Sequence, residues 1–185
     1  MTIAFDQLLQ EHQQCMNRVA EIKDNILSAI SHLKQVLGKG GTVYVCGNGG
    51  SAADAQHFSS EFTGRFEKDR SGFRAVALTV DTSAITAIGN DYGFEKIFSR
   101  QLESLAHEGD CLVVISTSGG SKNLQAAVNS AKELGVSSIG LLGRDGGELA
   151  KIVDYPLVVS AQRTSRIQEA HIFILHALCE AFEPH

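Results

Sequence analysis

The sequence predicts an α/β protein: a doubly wound, mostly parallel five-stranded sheet flanked by helices, preceded by a long N-terminal helical segment. Short β-branched runs alternate with segments of about 10–15 residues whose apolar residues recur at helical spacing, which is the pattern of βαβ units. The 18 glycines and only 2 prolines suit tight turns between many regular elements. With 43% hydrophobic residues in 185, a single domain over residues 1–185 can bury a sizeable core.

The first 37 residues form the predicted N-terminal helical segment. Apolar residues recur at helical spacing from Ile3 to Leu37, and the glycine-rich stretch 38–41 ends the pattern. A helix of this length is expected to break once. Because no strand pattern precedes it, we expect the segment to pack outside its own sheet, either on a partner subunit or on itself.

The remaining elements alternate between strand and helix. Strands are predicted at residues 42–46, 73–78, 111–115, 137–142 and 155–159, and helices from Ser51 and over 82–88, 94–106, 123–134 and 165–182. Sheets of this kind bind ligands beyond the carboxyl ends of their strands. The loops after Cys46, Leu78 and Ile115 are therefore the predicted place of a binding site.

Composition and charge argue against several classes of function. The net charge is −5 and no block of Lys or Arg exceeds two residues, so nucleic acid is not an expected partner. No apolar run approaches the roughly 18 residues of a membrane span, and the first residues lack the pattern of a signal peptide. The cysteines at 15, 46, 111 and 179 lie far apart, as buried thiols in a reducing compartment do. We expect a cytoplasmic location with no membrane contact.

The loop after the strand at 111–115 has the composition of a phosphate site. Residues 116–121 read Ser-Thr-Ser-Gly-Gly-Ser, with four hydroxyls and two glycines just before a helix. Backbone N–H groups and the positive end of the helix dipole favour an anion there. A serine N-cap among small turn residues is the simpler interpretation, but one serine is enough for a cap.

The loop after Cys46 has a second, competing interpretation. Residues 47–52 fit the dinucleotide fingerprint G-x-G-x-x-A in the correct strand–turn–helix setting. Such a site needs an acid near the end of the next strand to hold the ribose, and Asp81 is the nearest. Against it, a second phosphate loop at 116–121 would be redundant. A glycine turn that lets the helix pack on the sheet is a third possibility.

Two helices carry residues that suit a metal site. His57 and Glu61 stand four apart on one helical face, and Gln168, His171 and His176 lie on the last helix. Imidazole and carboxylate ligands suit zinc and similar divalent ions. Taken alone, any one of these histidines is an ordinary surface or core residue.

Two further features are open to either a structural or a functional interpretation. Asn90 and Asp91 lie in a predicted polar turn between helices, where Asp91 is able to bind a polyol or orient a base. Arg65, one turn after Glu61, either meets an anionic ligand or pairs with Glu61 on the surface.

Taken in order, five segments resemble the phosphoheptose isomerases (D-sedoheptulose 7-phosphate isomerases), which are sugar-isomerase-type (SIS) domain proteins. The segments are Cys46–Ser51, His57-Phe58-x-x-Glu61, Gly89–Phe94, Ile115–Ser118 with Ser121, and Arg166-Ile167-Gln168-Glu169-x-His171. The resemblance runs through nearly the whole chain. It implies an SIS-type sandwich, a homotetramer with active sites near subunit junctions, and a sugar phosphate substrate.

The resemblance also implies a reaction and its residues. Sedoheptulose 7-phosphate is converted through an enediol(ate) to D-glycero-D-manno-heptose 7-phosphate, the first step of bacterial ADP-/GDP-heptose biosynthesis for surface polysaccharides such as lipopolysaccharide. Glu61 would be the base at carbon and His176 the acid/base partner at the oxygens. One Zn²⁺ per subunit would be held by His57, Glu61, Gln168 and His176. The implied substrate-binding residues are Asn48, Gly49, Gly50, Glu61, Asn90, Asp91, Ser116, Thr117, Ser118, Ser121 and Gln168.

One spacing conflicts with this ligand set. Eight residues of helix separate Gln168 from His176 by about 12 Å. Either the helix begins after Gln168, or both side chains stretch, or different subunits contribute. On spacing alone His171, one turn from Gln168, is a rival ligand.

A non-catalytic alternative stays open. A bacterial replication regulator has the same fold and, as a tetramer, binds the replication initiator protein. That regulator carries a bulky basic residue in its phosphate loop where this chain has Ser118, so the enzyme is favoured.

Overall fold

The computed structural model describes residues 4–184, which contain one five-stranded sheet covered by helices on both faces. The helices are α1 (Phe5–Glu21), α2 (Lys23–Gly38), α3 (Gly50–Thr63), α4 (Thr82–Tyr92), α5 (Ser99–Leu105), α6 (Lys122–Glu133) and α7 (Thr164–Glu180), with 3₁₀ turns at Phe94–Lys96 and Leu149–Lys151. The strands are β1 (Val43–Gly47), β2 (Ala75–Ala77), β3 (Cys111–Ser116), β4 (Ser137–Gly143) and β5 (Tyr155–Val159).

The sheet has the strand order β2-β1-β3-β4-β5, and every pairing is parallel. The predicted doubly wound sheet is thus confirmed. The chain winds from β1 outward to β2 and then returns to the other side of β1 with β3. This reversal leaves a crevice beyond the carboxyl ends of β1 and β3, where open α/β sheets bind ligands.

The central strands are apolar because both of their faces are covered. Every residue of β1 and β3 is buried, as expected for a parallel sheet between two helical layers. Val43 and Val45 face the layer of α1, α2, α3 and α7, whereas Tyr44 and Cys46 face that of α5 and α6. The four cysteines are free and buried, as predicted.

The N-terminal segment breaks once, at Ile22 between α1 and α2, as expected. The expectation that it packs outside its own sheet is wrong for α2, which lies against β5 and β1. Ala29 and Leu33 are fully buried there because that face of the sheet needs an apolar cover. Phe5, Leu9 and Leu27 remain exposed, so contact with a partner subunit stays a prediction.

Three predicted elements have different bounds. The strand at 73–78 shrinks to three residues because β2 is an edge strand that pairs with β1 alone. The helix at 94–106 is interrupted where Ile97 and Phe98 both turn into the core. Helix α4 continues to Tyr92 and stops at Gly93, whose φ of 89° suits glycine. Asn90 and Asp91 therefore lie in the last turn of a helix and not in a turn between helices.

Among residues 4–184, none of the helices combines the length and apolar character that a bilayer crossing requires.

Candidate active site

The loops after β1 and β3 lie side by side at the carboxyl edge of the sheet. Gly47 and Ile115 are register partners, so residues 48–50 and 116–121 leave the sheet together. Asn48 and Asn123 join the two loops by a reciprocal amide pair, with distances of 3.0 and 2.8 Å between the Nδ2 and Oδ1 atoms. Asn123 was not predicted as a site residue, although an amide in the first turn after a phosphate-type loop was a usable signal.

The hydroxyl-rich loop is folded around its own backbone N–H groups. The Gly119 N–H donates to Ser116 Oγ at 3.0 Å and the Gly120 N–H to Ser118 Oγ at 3.3 Å. Ser121 is the N-cap residue of α6, but its side chain makes no capping hydrogen bond. The simple interpretation of this loop as a serine cap is therefore wrong. The Ser121 hydroxyl therefore stays available at the positive end of α6, where an anion is favoured.

The glycine loop after Cys46 is shaped for close packing. A methyl group on Gly47 would lie 2.6 Å from the Ser51 carbonyl oxygen, and one on Gly50 would lie 2.5 Å from Gln168 Nε2. Asp81, the acid that a dinucleotide site would need, accepts a hydrogen bond from the Ala84 N–H at 2.9 Å as the N-cap of α4. The dinucleotide interpretation thereby loses its ribose-binding residue.

Helices α3 and α7 place His57 next to two of the other predicted metal ligands. His57 Nε2 lies 3.1 Å from Glu61 Oε1, and the rings of His57 and His176 meet edge to face at a centroid distance of 5.2 Å. Gln168 lines a cleft of about 410 Å³ with His57 and Gly50. Among residues 4–184, no three His, Cys, Asp or Glu side chains stand in a ready metal-binding arrangement, and His57 is bonded to Glu61 directly.

The distance between Gln168 and His176 along α7 cannot be explained by a helix that begins after Gln168. Because α7 begins at Thr164, Gln168 lies inside the helix. Gln168, Ile172 and His176 recur at every fourth position on one face of the helix, and Gln168 and Ile172 line the cleft. Stretched side chains or ligands from two subunits remain.

His171 is not the rival ligand that spacing allowed. Its ring is 0% exposed within the protein core, and neither ring nitrogen has a hydrogen-bond partner of good geometry, although the Leu142 backbone lies close enough to oppose the pKa shift. Burial lowers the pKa of His171 to about 4, so the ring is neutral. The sequence could not separate His171 from His176 because that choice depends on which face of α7 meets the sheet.

The buried His171 should make stability depend on pH. In the unfolded chain this imidazole binds a proton below about pH 6.5, but in the folded protein only below about 4. Between these two pH values the unfolded state holds more protons than the folded state. The free energy of unfolding is therefore highest above about pH 6.5 and decreases as the pH is lowered toward 4. The loss should be on the order of 3 kcal/mol, measured by urea unfolding at several pH values. A His171→Leu variant should lose less stability over the same pH range. If its free energy of unfolding decreased as much as that of the wild type, His171 would not be the group responsible.

Asp54 is a second site residue that the sequence analysis missed. It lines the same cleft one turn before His57, and its Oδ2 atom is inaccessible to water with no hydrogen-bond partner. Burial raises the pKa of Asp54, and the nearby His57 opposes that rise. Its position three residues before His57 was the available signal, since i and i+3 share a helix face.

The remaining predicted residues lie outside the cleft. Asn90 Nδ2 donates to Asp91 Oδ1 at 2.7 Å, and both residues are exposed. A Glu95–Lys122 ion pair of 3.4 Å brings the turn that follows them to the start of α6, beside the hydroxyl-rich loop. Arg65 donates to the Glu67 carbonyl at 3.0 Å and does not pair with Glu61.

Comparisons with known proteins point to one family. The family model described as "SIS domain" matches residues 7–143. The chain is 53% identical to a phosphoheptose isomerase of Geotalea daltonii over 95% of its own length and 92% of the relative's, and 51% identical to one of Campylobacter jejuni over 94% of each.

Solved structures give the same result. The chain superposes on a phosphoheptose isomerase of Neisseria gonorrhoeae with a TM-score of 0.90 at 44% identity, covering 95% of both chains. The corresponding enzyme of Francisella tularensis gives a TM-score of 0.94 at 38% identity and 98% coverage of both.

Proposed function

The chain belongs to the phosphoheptose isomerase family of SIS-domain proteins, and on that premise we propose how its residues carry out the isomerisation of sedoheptulose 7-phosphate. This enzyme is an aldose–ketose isomerase. One observation supports the assignment of roles: the hydroxyl-rich loop lies beside the turn from which α3 starts, and α3 carries the His57–Glu61 pair. The product, D-glycero-D-manno-heptose 7-phosphate, would enter ADP-/GDP-heptose biosynthesis. Binding of a replication initiator is not favoured.

The phosphate loop sets which carbons of the substrate reach the reacting groups. Ser116, Thr117, Ser118 and Ser121 would hold the 7-phosphate through hydroxyl and backbone donors that carry no charge of their own. Such neutral donors favour release of the product as well as binding. Asn48, Gly49, Gly50, Asn90, Asp91 and Gln168 would contact the sugar. Anchoring the distant phosphate orients C1 and C2 for proton transfer.

Glu61 and His176 divide the proton transfers. Glu61 removes a proton from C1 of the ketose while the C2 oxygen gains one, which gives the enediol. Glu61 then returns a proton to C2 as the C1 hydroxyl loses its own, leaving the aldehyde. His176 exchanges the protons at the two oxygens. Glu61 Oε1 lies 3.1 Å from His57 Nε2. This contact must open before the Glu61 carboxylate can reach the substrate carbon.

The residues present fit a zinc ion. Two imidazoles, one carboxylate and one amide (His57, His176, Glu61 and Gln168) provide the nitrogen and oxygen donors that zinc accepts. Because Gly50 has no side chain, the Gln168 amide can lie against it; a methyl group on Gly50 would be 2.5 Å from Gln168 Nε2. A zinc ion bound there would polarise the substrate carbonyl and stabilise developing negative charge.

We also propose a homotetramer with active sites near subunit junctions. Helix α4 contains no buried residue. Its last residue, Tyr92, and the flanking Val80 and Phe94 are exposed. Leu27 and Phe173 border a second apolar groove between α1, α2 and α7. Exposed apolar surface of this extent suits contact with further copies of the chain.

An NMR assay in D₂O tests the reaction and the metal together. Purified protein is incubated with sedoheptulose 7-phosphate, with chelator, and again after zinc is restored. We expect aldose carrying solvent deuterium at C2, lost on chelation and regained with zinc. Conversion by protein shown to be zinc-free would contradict the zinc site but leave the isomerase assignment intact. Absence of conversion under every condition would overturn the isomerase and favour the initiator-binding alternative.

A further inference from the structure

The end of α3 is held by an arginine that the proposed mechanism does not use. A helix leaves its last four carbonyl groups without donors from its own backbone. Arg70 donates from Nη2 to the Glu61 carbonyl at 2.7 Å and from Nη1 to the Phe62 carbonyl at 3.2 Å. Its positive charge also opposes the negative end of the helix dipole. Arg70 thus caps α3 at the residue whose side chain is the proposed base.

Arg70 is itself fixed by the C-terminal segment, residues 182–184. Its Nε lies 3.4 Å from Glu183 Oε1, and the two side chains are only 7% and 5% exposed. The Lys68 N–H donates to Glu183 Oε2 at 2.5 Å, and Lys68 Nζ donates to the Pro184 carbonyl at 2.7 Å. Removing one partner of a buried ion pair leaves an uncompensated charge, which strongly destabilises the arrangement around it. Glu183 therefore keeps Arg70 in its capping position.

Aromatic side chains enclose this ion pair. Phe182 packs against Phe62 and Phe73 at ring-centroid distances of 5.1 and 5.2 Å. The Arg70 guanidinium lies 4.7 Å from the centre of the Phe73 ring. The C-terminal segment directly follows α7, so these contacts join the end of α7 to the end of α3.

The joined helices carry the reacting groups. Helix α3 provides His57 and Glu61, and α7 provides His176, whose ring lies 5.2 Å from that of His57. A displacement of a reacting group by about 1 Å can lower the rate about 100-fold. We infer that Glu183, acting through Arg70, is a positioning residue that fixes Glu61 relative to His176. This inference rests on the proposed role of Glu61 as the base.

Three variants test it, each assayed with sedoheptulose 7-phosphate at saturating zinc. Glu183→Gln removes the charge and keeps the size. Arg70→Lys keeps the charge but removes the planar guanidinium that donates to the Glu61 and Phe62 carbonyls together. Glu183→Asp keeps the charge and is the milder change should the other two fail to fold. For the folded fraction we expect kcat to fall about 10- to 100-fold in the first two, with KM within about twofold. Glu183→Asp should recover part of the loss.

Asp110→Asn is the matched control. Asp110 is also a buried carboxylate, 6% exposed, and accepts the Thr42 and His107 N–H groups at 2.7 and 2.8 Å. It precedes β3, and none of its hydrogen bonds reaches α3, Arg70 or Glu183. We expect this variant and Glu183→Gln both to lower the midpoint of thermal unfolding, whereas Asp110→Asn should leave kcat unchanged.

The outcomes separate this inference from the proposed function. Wild-type kcat in folded Glu183→Gln, or in folded Glu183→Asp and Arg70→Lys, would overturn the positioning role. Equal loss of kcat in Asp110→Asn would do the same, because the effect would then follow stability alone. Retained turnover in Glu61→Gln would instead contradict the base that the inference presupposes.

Discussion

Replacing Glu61 with glutamine is expected to lower kcat by a factor of about 10²–10⁴, the usual contribution of a positioned general base. Glutamine has nearly the same size, so it preserves packing in α3, but its amide cannot accept a proton from carbon. The His57 contact at 3.1 Å can persist through the amide oxygen. The measurement is steady-state turnover at saturating zinc, with zinc content determined on the same sample.

Glu169→Gln is the matched control for this substitution. Glu169 lines the cleft that contains His57, and its carboxylate is paired with Arg166 at 2.6 Å and lies 2.7 Å from His12 Nδ1. Its replacement should change kcat by less than about threefold if only Glu61 is the base. Turnover near the wild-type value in Glu61→Gln with zinc still bound would show that another group removes the proton.

Gly119→Ala should disrupt the phosphate loop, for a reason specific to this position. Gly119 has a φ of +67°, and a methyl group there would lie 2.0 Å from the Gly146 carbonyl oxygen. Its own carbonyl accepts the Leu149 N–H at 3.0 Å, so the loop cannot move away without breaking that bond. We expect about 2–4 kcal/mol lower stability and a KM for the sugar phosphate raised at least about tenfold, because the hydroxyls are displaced.

The neighbouring glycine is the control. A methyl group on Gly120 would meet nothing closer than Ser118 Oγ at 3.9 Å. Gly120→Ala should therefore change stability by less than about 1 kcal/mol and leave KM nearly unchanged. Urea unfolding and initial-rate kinetics on both variants check the pair. Similar behaviour of the two would mean that the tight approach to Gly146 does not fix the loop.

The local parts of this structure were readable from the sequence. Buried β-branched runs and helical spacing gave five strands in an α/β order, since periodicity reflects which side chains meet the core. The serine-rich loop before α6 and the pair His57–Glu61 were also found, because each depends only on neighbours along the chain. The order of motifs then identified the family without any knowledge of distances.

Tertiary structure decided which residues face the site and which partners hold them. His171 and His176 are equivalent in sequence, and only the packing of α7 on the sheet buries the first and turns the second toward His57. Glu183 meets Arg70 across 113 positions of sequence, and the amides of Asn48 and Asn123 meet across 75. No local pattern encodes such pairs. They form because a buried charge or amide must find a partner wherever packing places one.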